Sequence, residues 1–190
     1  QKLSWQGSLR PFIELTVRFK GQDPKYILDL DDNGECDGSQ LKKNYLYSGL
    51  YLNELLNRCM LFSESCVDVY ESYKMTVRSL MINDDIETAL RRFELELLKE
   101  LGYGISFQSD IYGAPMQDND YYCFDPEKGF IPVYNTNLEQ QVLIKGVDIS
   151  AMSAMNKMDK RLKRIAKYVL RTALAPHLGQ KPLVSAQFFK

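Results

Sequence analysis

A chain of 190 residues that is 45% hydrophobic and 26% charged has the make-up of an ordinary soluble globular protein, in one large domain or two small ones. No apolar run approaches the roughly 18 residues that a membrane-spanning helix requires. Cys36, Cys59, Cys66 and Cys123 are irregularly spaced, with no CxxC pair, so free thiols are expected rather than a disulfide framework. The first residue is Gln1 rather than Met and no secretory leader is legible, which is the expectation for a fragment of a cytoplasmic protein. The net charge of −1 conceals segregation. From Lys157 onward, Lys157, Lys160, Arg161, Lys163, Arg164, Lys167, Arg171, Lys181 and Lys190 face Asp159 alone, and the opening stretch to Tyr26 is mildly basic. Such asymmetry points to a polyanionic partner held at the two ends.

Residues 9–30 alternate apolar and polar side chains around Phe12, Leu15, Val17 and Phe19, turn at Gly21–Pro24, and resume at Tyr26–Leu30. The pattern predicts a β-hairpin at the end of a small barrel, because two strands alone do not make a stable sheet. A polar stretch, Asp31–Ser39, follows as an expected turn. Tyr45, Leu46, Leu50, Leu55, Leu56 and Cys59 then recur at helical spacing, and Val69, Tyr73, Val77 and Leu80 mark a second helix from about Cys66 to Leu80. A third helix is capped by Asp84 or Asp85, carries the stripe Ile86, Leu90, Phe93, Leu97 and Leu101, and stops at Gly102. Residues 103–147 read as aromatic-rich loops with short strands near Tyr121–Phe124 and Gly129–Val133. A short helix near Asp148–Met155 and a long one from about Lys157 to Ala175 complete the order.

The last helix carries the most informative pattern. Leu162, Ile165, Ala166, Val169, Leu170 and Ala173 form one face, while Lys160, Arg164, Lys167 and Arg171 recur at i, i+4, i+7 and i+11 on the other. Such a row is either a solvated face or a phosphate track, since like charges at this spacing repel by a few tenths of a kcal/mol per pair and a polyanion relieves that repulsion. Asp29-Leu30-Asp31-Asp32-Asn33-Gly34 matches the first half of a calcium loop, but Gln40 stands where the bidentate glutamate belongs, and an acidic turn is expected. The only histidine, His177, follows Pro176 near the end of the chain, and there is no GxSxG, P-loop or GxGxxG pattern. Asp118 and Asp120 lie in turn-like sequence and read as a solvated loop. Tandem Arg91 and Arg92 on the third helix read either as surface partners of Glu87 and Glu96 or as a grip on an acidic peptide or a carboxylate terminus.

Three blocks resemble the bacterial RecO family. They are Leu46-Tyr47-Ser48-Gly49-Leu50-Tyr51-Leu52-Asn53-Glu54-Leu55-Leu56, the run from Ala89-Leu90-Arg91-Arg92-Phe93-Glu94 to Gly102-Tyr103-Gly104, and the closing Ala173–Phe189 with Gly179-Gln180-Lys181-Pro182-Leu183-Val184-Ser185. The last departs from the family's usual Gly-Lys-Pro-Leu-Lys-Ser run. The resemblance implies an α+β chain: a truncated N-terminal OB-fold over residues 1–38, holding late strands only, then a mainly helical domain over 39–190 with a short β/loop insertion at about 103–147. It implies a non-enzymatic recombination mediator that binds single- and double-stranded DNA and anneals strands. With RecR, such a protein helps load RecA onto DNA coated by single-strand-binding protein. Arg10, Arg18, Lys20, Lys160, Arg164, Lys167 and Arg171 are the implied DNA contacts; Arg91, with Arg92 second, is implied to grip the acidic tail of single-strand-binding protein. Trp5 or Phe12 would stack on bases or, for Phe12, pack in the barrel. Zinc-binding relatives carry four cysteines after the central helix; Ile105–Val133 holds only Cys123, so no metal or other cofactor is expected. The rival reading is a calcium- or peptide-binding interaction module without DNA affinity, drawn from the acidic turn and the net negative charge.

Overall fold

The computed structural model describes residues 10–21, 26–60, 66–82, 85–134, 142–156 and 158–189. Trp5, most of the expected Gly21–Pro24 turn, Asp84 and Lys157 lie outside them. Strands β1 (Ile13–Lys20) and β2 (Tyr26–Asp37) form an antiparallel ribbon with Val17 opposite Leu30 and Arg18 opposite Asp29. Three helices follow, α1 (Lys43–Cys59), α2 (Val67–Met81) and α3 (Ile86–Glu100). A second antiparallel sheet has the order β4-β3-β5, made by β3 (Tyr121–Asp125), β4 (Gly129–Val133) and β5 (Ile144–Lys145). Helices α4 (Gly146–Met152) and α5 (Lys160–Leu174) lead into short 3-10 turns at Ala175–His177 and Ser185–Phe189. The class is α+β with small antiparallel sheets. No closed barrel is present among the described residues.

The helix ends follow from their local chemistry. The Asp85 carboxylate accepts from the Thr88 N–H and opens α3, and Asp159 accepts from Leu162 N–H at 2.7 Å to open α5. Gly102, at φ +83°, turns the chain out of α3, with Tyr103 N–H bonded back to Leu98 at 2.8 Å. The stretch Asp31–Asp37, expected as a turn, instead continues β2. Once β1 offers a complementary ladder, pairing outweighs the poor strand propensity of Asp and Asn. The two-residue β5 carried no readable period, being too short for one.

Helix α3 runs through the middle of the helical core. Phe93, Leu97 and Leu98 are fully buried against α2 and α5, and Leu52 and Leu55 of α1 close the side. Phe107, Phe124 and Phe130 form an aromatic cluster under the second sheet, with Phe124 and Phe130 centroids 5.1 Å apart. The ribbon is seated on the helices by Phe12, which is buried at φ +66°. Its ring lies where a Cβ on Gly49 of α1 would sit, and its carbonyl accepts from Gly38 N–H at 2.8 Å. Phe12 is therefore a packing residue and is not offered to a base.

Candidate functional site

Helices α1, α3 and α5 converge on a cavity of about 210 Å³. Helix α1 supplies Asn44, Ser48 and Tyr51; α3 supplies Ile86, Glu87, Leu90 and Arg91; α5 supplies Lys163, Lys167 and Arg171. The convergence follows from helix periodicity. Ile86, Leu90 and Arg91 are on the face that α3 turns toward α1 and α5, while Lys163, Lys167 and Arg171 repeat every fourth residue beside the buried stripe Ala166, Val169, Leu170 and Ala173.

Arg91 is only 3% exposed, an unusual position for a guanidinium. Its Nη2 donates to Oε1 of Glu94 one turn on, and the same oxygen accepts the Tyr51 hydroxyl at 2.6 Å. Glu94 is fully buried; desolvation pushes its carboxyl above the ordinary range, while Arg91 and the Tyr51 hydrogen bond pull the other way. Burial, and then the Glu94 charge, hold the Tyr51 phenol well above its usual value, so it stays a donor. Arg91 Nε and Nη1 and Glu94 Oε2 have no hydrogen-bond partner among the described residues. A buried cation with donors to spare is costly unless an anion arrives.

The other cations at the cavity sharpen that demand. Lys163 pairs with Asp85 at 2.5 Å. At Lys167, desolvation at the cavity wall, then the positive neighbours Arg171 and Arg91, lower the ammonium below its usual value. Glu87 is the acidic side chain at the mouth. The arrangement suits an anion anchored on Arg91, with an apolar group against Ile86 and Leu90. Cys59 lies elsewhere, its thiol pushed up to about 11 by burial, and His177 packs its ring on Tyr103 at 4.2 Å. Among the described residues no group of three or more His, Cys, Asp or Glu could hold a metal ion. Asp29 to Gly34 run as extended strand, not as the expected acidic turn or a calcium loop, with Asp29 paired to Arg18.

The structure regroups the residues singled out from the sequence. Arg91, Lys167 and Arg171, expected to serve two different ligands, line one cavity. Lys160 and Arg164 are exposed farther toward the start of the same helix. Arg92 faces away from the cavity; its Nε donates to the Met155 carbonyl and its Nη2 to Asn156 Oδ1, both at 2.9 Å. Arg10 and Lys20 are exposed on the ribbon side, and Arg18 is exposed while paired with Asp29. Neither Arg91 with Glu87 nor Arg92 with Glu96 is an ion pair seen among the described residues; Arg91 chooses Glu94 and Glu96 pairs with Lys99. Tyr51, Glu94 and Lys163 were not singled out. Glu94, three residues after Arg91, was the available signal, masked because α3 also carries Glu87, Glu96 and Glu100 and one acid among several on an amphipathic helix reads as solvated.

Known proteins place the chain. The family model described as "Recombination protein O C terminal" matches residues 42–187. A protein named DNA repair protein RecO from Idiomarina loihiensis is 33% identical over the whole of this chain and 81% of its own length. Proteins of the same name from Pseudomonas paraeruginosa and Stutzerimonas stutzeri are 36% and 37% identical, over 95% and 96% of this chain and 76% of each relative. The match runs through all three helices that build the cavity, and the chain belongs to the RecO family.

Proposed function

We propose that this chain is a non-enzymatic recombination and repair protein that binds single- and double-stranded DNA and anneals strands. With RecR, it helps load RecA at the nucleoid onto DNA coated by single-strand-binding protein. The cavity between α1, α3 and α5 captures the acidic tail of single-strand-binding protein and brings the chain to coated strands. The observation that carries this reading is Arg91, 3% exposed, with Nε and Nη1 unpartnered among the described residues beside Ile86 and Leu90. An acidic peptide ending in an apolar residue offers a second carboxylate for the guanidinium donors that Glu94 leaves free and a side chain for the apolar wall. A volume of about 210 Å³ accepts one large side chain and is smaller than ordinary small-molecule sites.

In this reading β1 and β2 are the late strands of a partial OB-fold in residues 1–38, and residues 39–190 form the helical domain with a short β/loop insertion at about 103–147. DNA phosphates are held by Arg10, Arg18 and Lys20 on one side and by the α5 cations on the other. Arg92, turned away from the cavity, supports the α4 end of the fold instead of the tail.

The test is binding of a labelled peptide with the acidic tail sequence. Saturable binding to the chain should weaken at least tenfold in Arg91→Ala, which loses a charge-assisted bond of about 1.5–3 kcal/mol. Because Arg91→Ala strands Glu94, the paired change Arg91→Ala with Glu94→Gln serves as the folded control, checked by circular dichroism. Full-strength binding to that double variant would move the tail off this cavity.

A further inference from the structure

The cavity and the basic row of α5 are one surface. Residues 160, 164, 167 and 171 follow the i, i+4, i+7, i+11 spacing that keeps them on a single stripe, about 16 Å long at 1.5 Å per residue. Its second half, Lys167 and Arg171, lines the cavity together with Lys163 and Arg91, while Lys160 and Arg164 continue the stripe out over the exposed start of the helix. Lys163 is already matched by Asp85. Among the described residues, the cations of the stripe that form no ion pair are Lys160, Arg164, Lys167 and Arg171, and half of them border the cavity.

We propose that the cavity is also the inner end of the DNA-phosphate track on α5, so that a bound acidic peptide and a DNA strand exclude one another from Lys167 and Arg171. This rests on the reading of the cavity as a tail site. The two ligands use the shared cations differently. A peptide terminus can enter beside Ile86 and Leu90 and reach Arg91, which is buried below the mouth. A phosphodiester is too bulky and too polar for that apolar wall and meets only the exposed Lys167 and Arg171. With the tail in place, DNA keeps Lys160 and Arg164 and loses the rest of the track. With DNA along the whole stripe, the tail loses its outer cations. Capture by the tail is then a delivery step, and engagement of the strand itself releases the tail.

The experiment measures binding of a labelled single-stranded oligonucleotide by the chain across a salt series, with and without saturating acidic peptide bearing a free terminal carboxylate. A second label on the peptide reports its own binding. Losing two phosphate contacts should flatten the slope of log K against log salt by about 1.4, at about 0.7 per contact on single strands. Lys167→Ala, at an exposed position, should weaken both ligands, whereas Lys160→Ala should weaken the oligonucleotide alone. Unchanged oligonucleotide affinity and slope while the peptide is bound would remove the shared track and leave the tail site standing. Equal displacement by a scrambled, amidated peptide would overturn the proposal by reducing the effect to general ionic competition. A peptide that does not bind at all overturns the tail reading, and this inference with it.

Discussion

Arg91 and Glu94 form an ion pair whose side chains are buried in the helical core. Each alone would be an ion stripped of water, and together they leave three polar atoms without partners among the described residues. Removing one member should therefore cost far more than removing both. Glu94→Leu is expected to lower stability by about 3–5 kcal/mol, since it strands a buried guanidinium. Adding Arg91→Leu should recover part of that loss, and denaturant unfolding of the double-mutant cycle measures the coupling. Tyr51→Phe, which removes one charge-assisted hydrogen bond to Glu94, should cost about 1.5–3 kcal/mol. Gly146 is fixed by a different cause. A Cβ there would stand 2.0 Å from the Gln117 carbonyl oxygen, so backbone would have to move to admit any other residue.

At the scale of elements, the closing segment is tied to α1 by Glu54. Its carboxylate accepts from the N–H groups of Val184 and Ser185 at 2.9 Å and from the Ser185 hydroxyl at 2.6 Å. Arg58 pairs with it and donates to the carbonyls of Leu178, Lys181 and Pro182. Burial by itself would raise the Glu54 carboxyl, but the Ser185 and Val184 bonds and the Arg58 charge together hold it below the usual 4.5. A carboxyl with a lowered folded value stabilises the fold above its unfolded value and loses that contribution as pH falls through the folded one. The stability gap between the wild type and Glu54→Gln, about 2 kcal/mol at neutral pH for charge-assisted bonds, should hold down to about pH 4.5 and narrow below it. Thermal melts of both proteins from pH 7 to pH 3 read that difference; a gap independent of pH would show that Glu54 works through its shape alone.

For the molecule as a whole, the question is how the ribbon is held on the helices. Phe12 inserts against Gly49 and Gly38, and Glu14 pairs with Lys74 of α2 at 2.6 Å while accepting the Tyr70 hydroxyl. Phe12→Ala removes the larger, apolar part of this seat and is expected to loosen the ribbon while the helical core, built on Phe93, Leu97 and Leu98, persists. Tryptic cleavage at Arg18 and Lys20 should accelerate several-fold with little change in helical circular dichroism. Unchanged cleavage would assign the seat to Glu14 and Lys74 instead.

Sequence alone determined the order of the helices and of β1 to β4, because helical and alternating periods, a cap at Asp84 or Asp85 and the stop at Gly102 are local properties. It also separated the apolar face of α5 from its basic row. The RecO blocks pointed to the family that the comparisons then showed. What it did not determine is which charges meet. Arg91 and Arg92 are adjacent in the chain but about 100° apart around α3, so one lines the cavity and the other bonds to Met155 and Asn156. Lys167 and Arg171 lie more than seventy residues from Arg91 and reach the same cavity only because α3 packs on α5. The same limit hid the continuation of β2 through Asp31–Asp37, whose pairing with β1 outweighs local preference. Contacts between distant segments depend on how apolar faces stack, and that stacking places four cations around one opening.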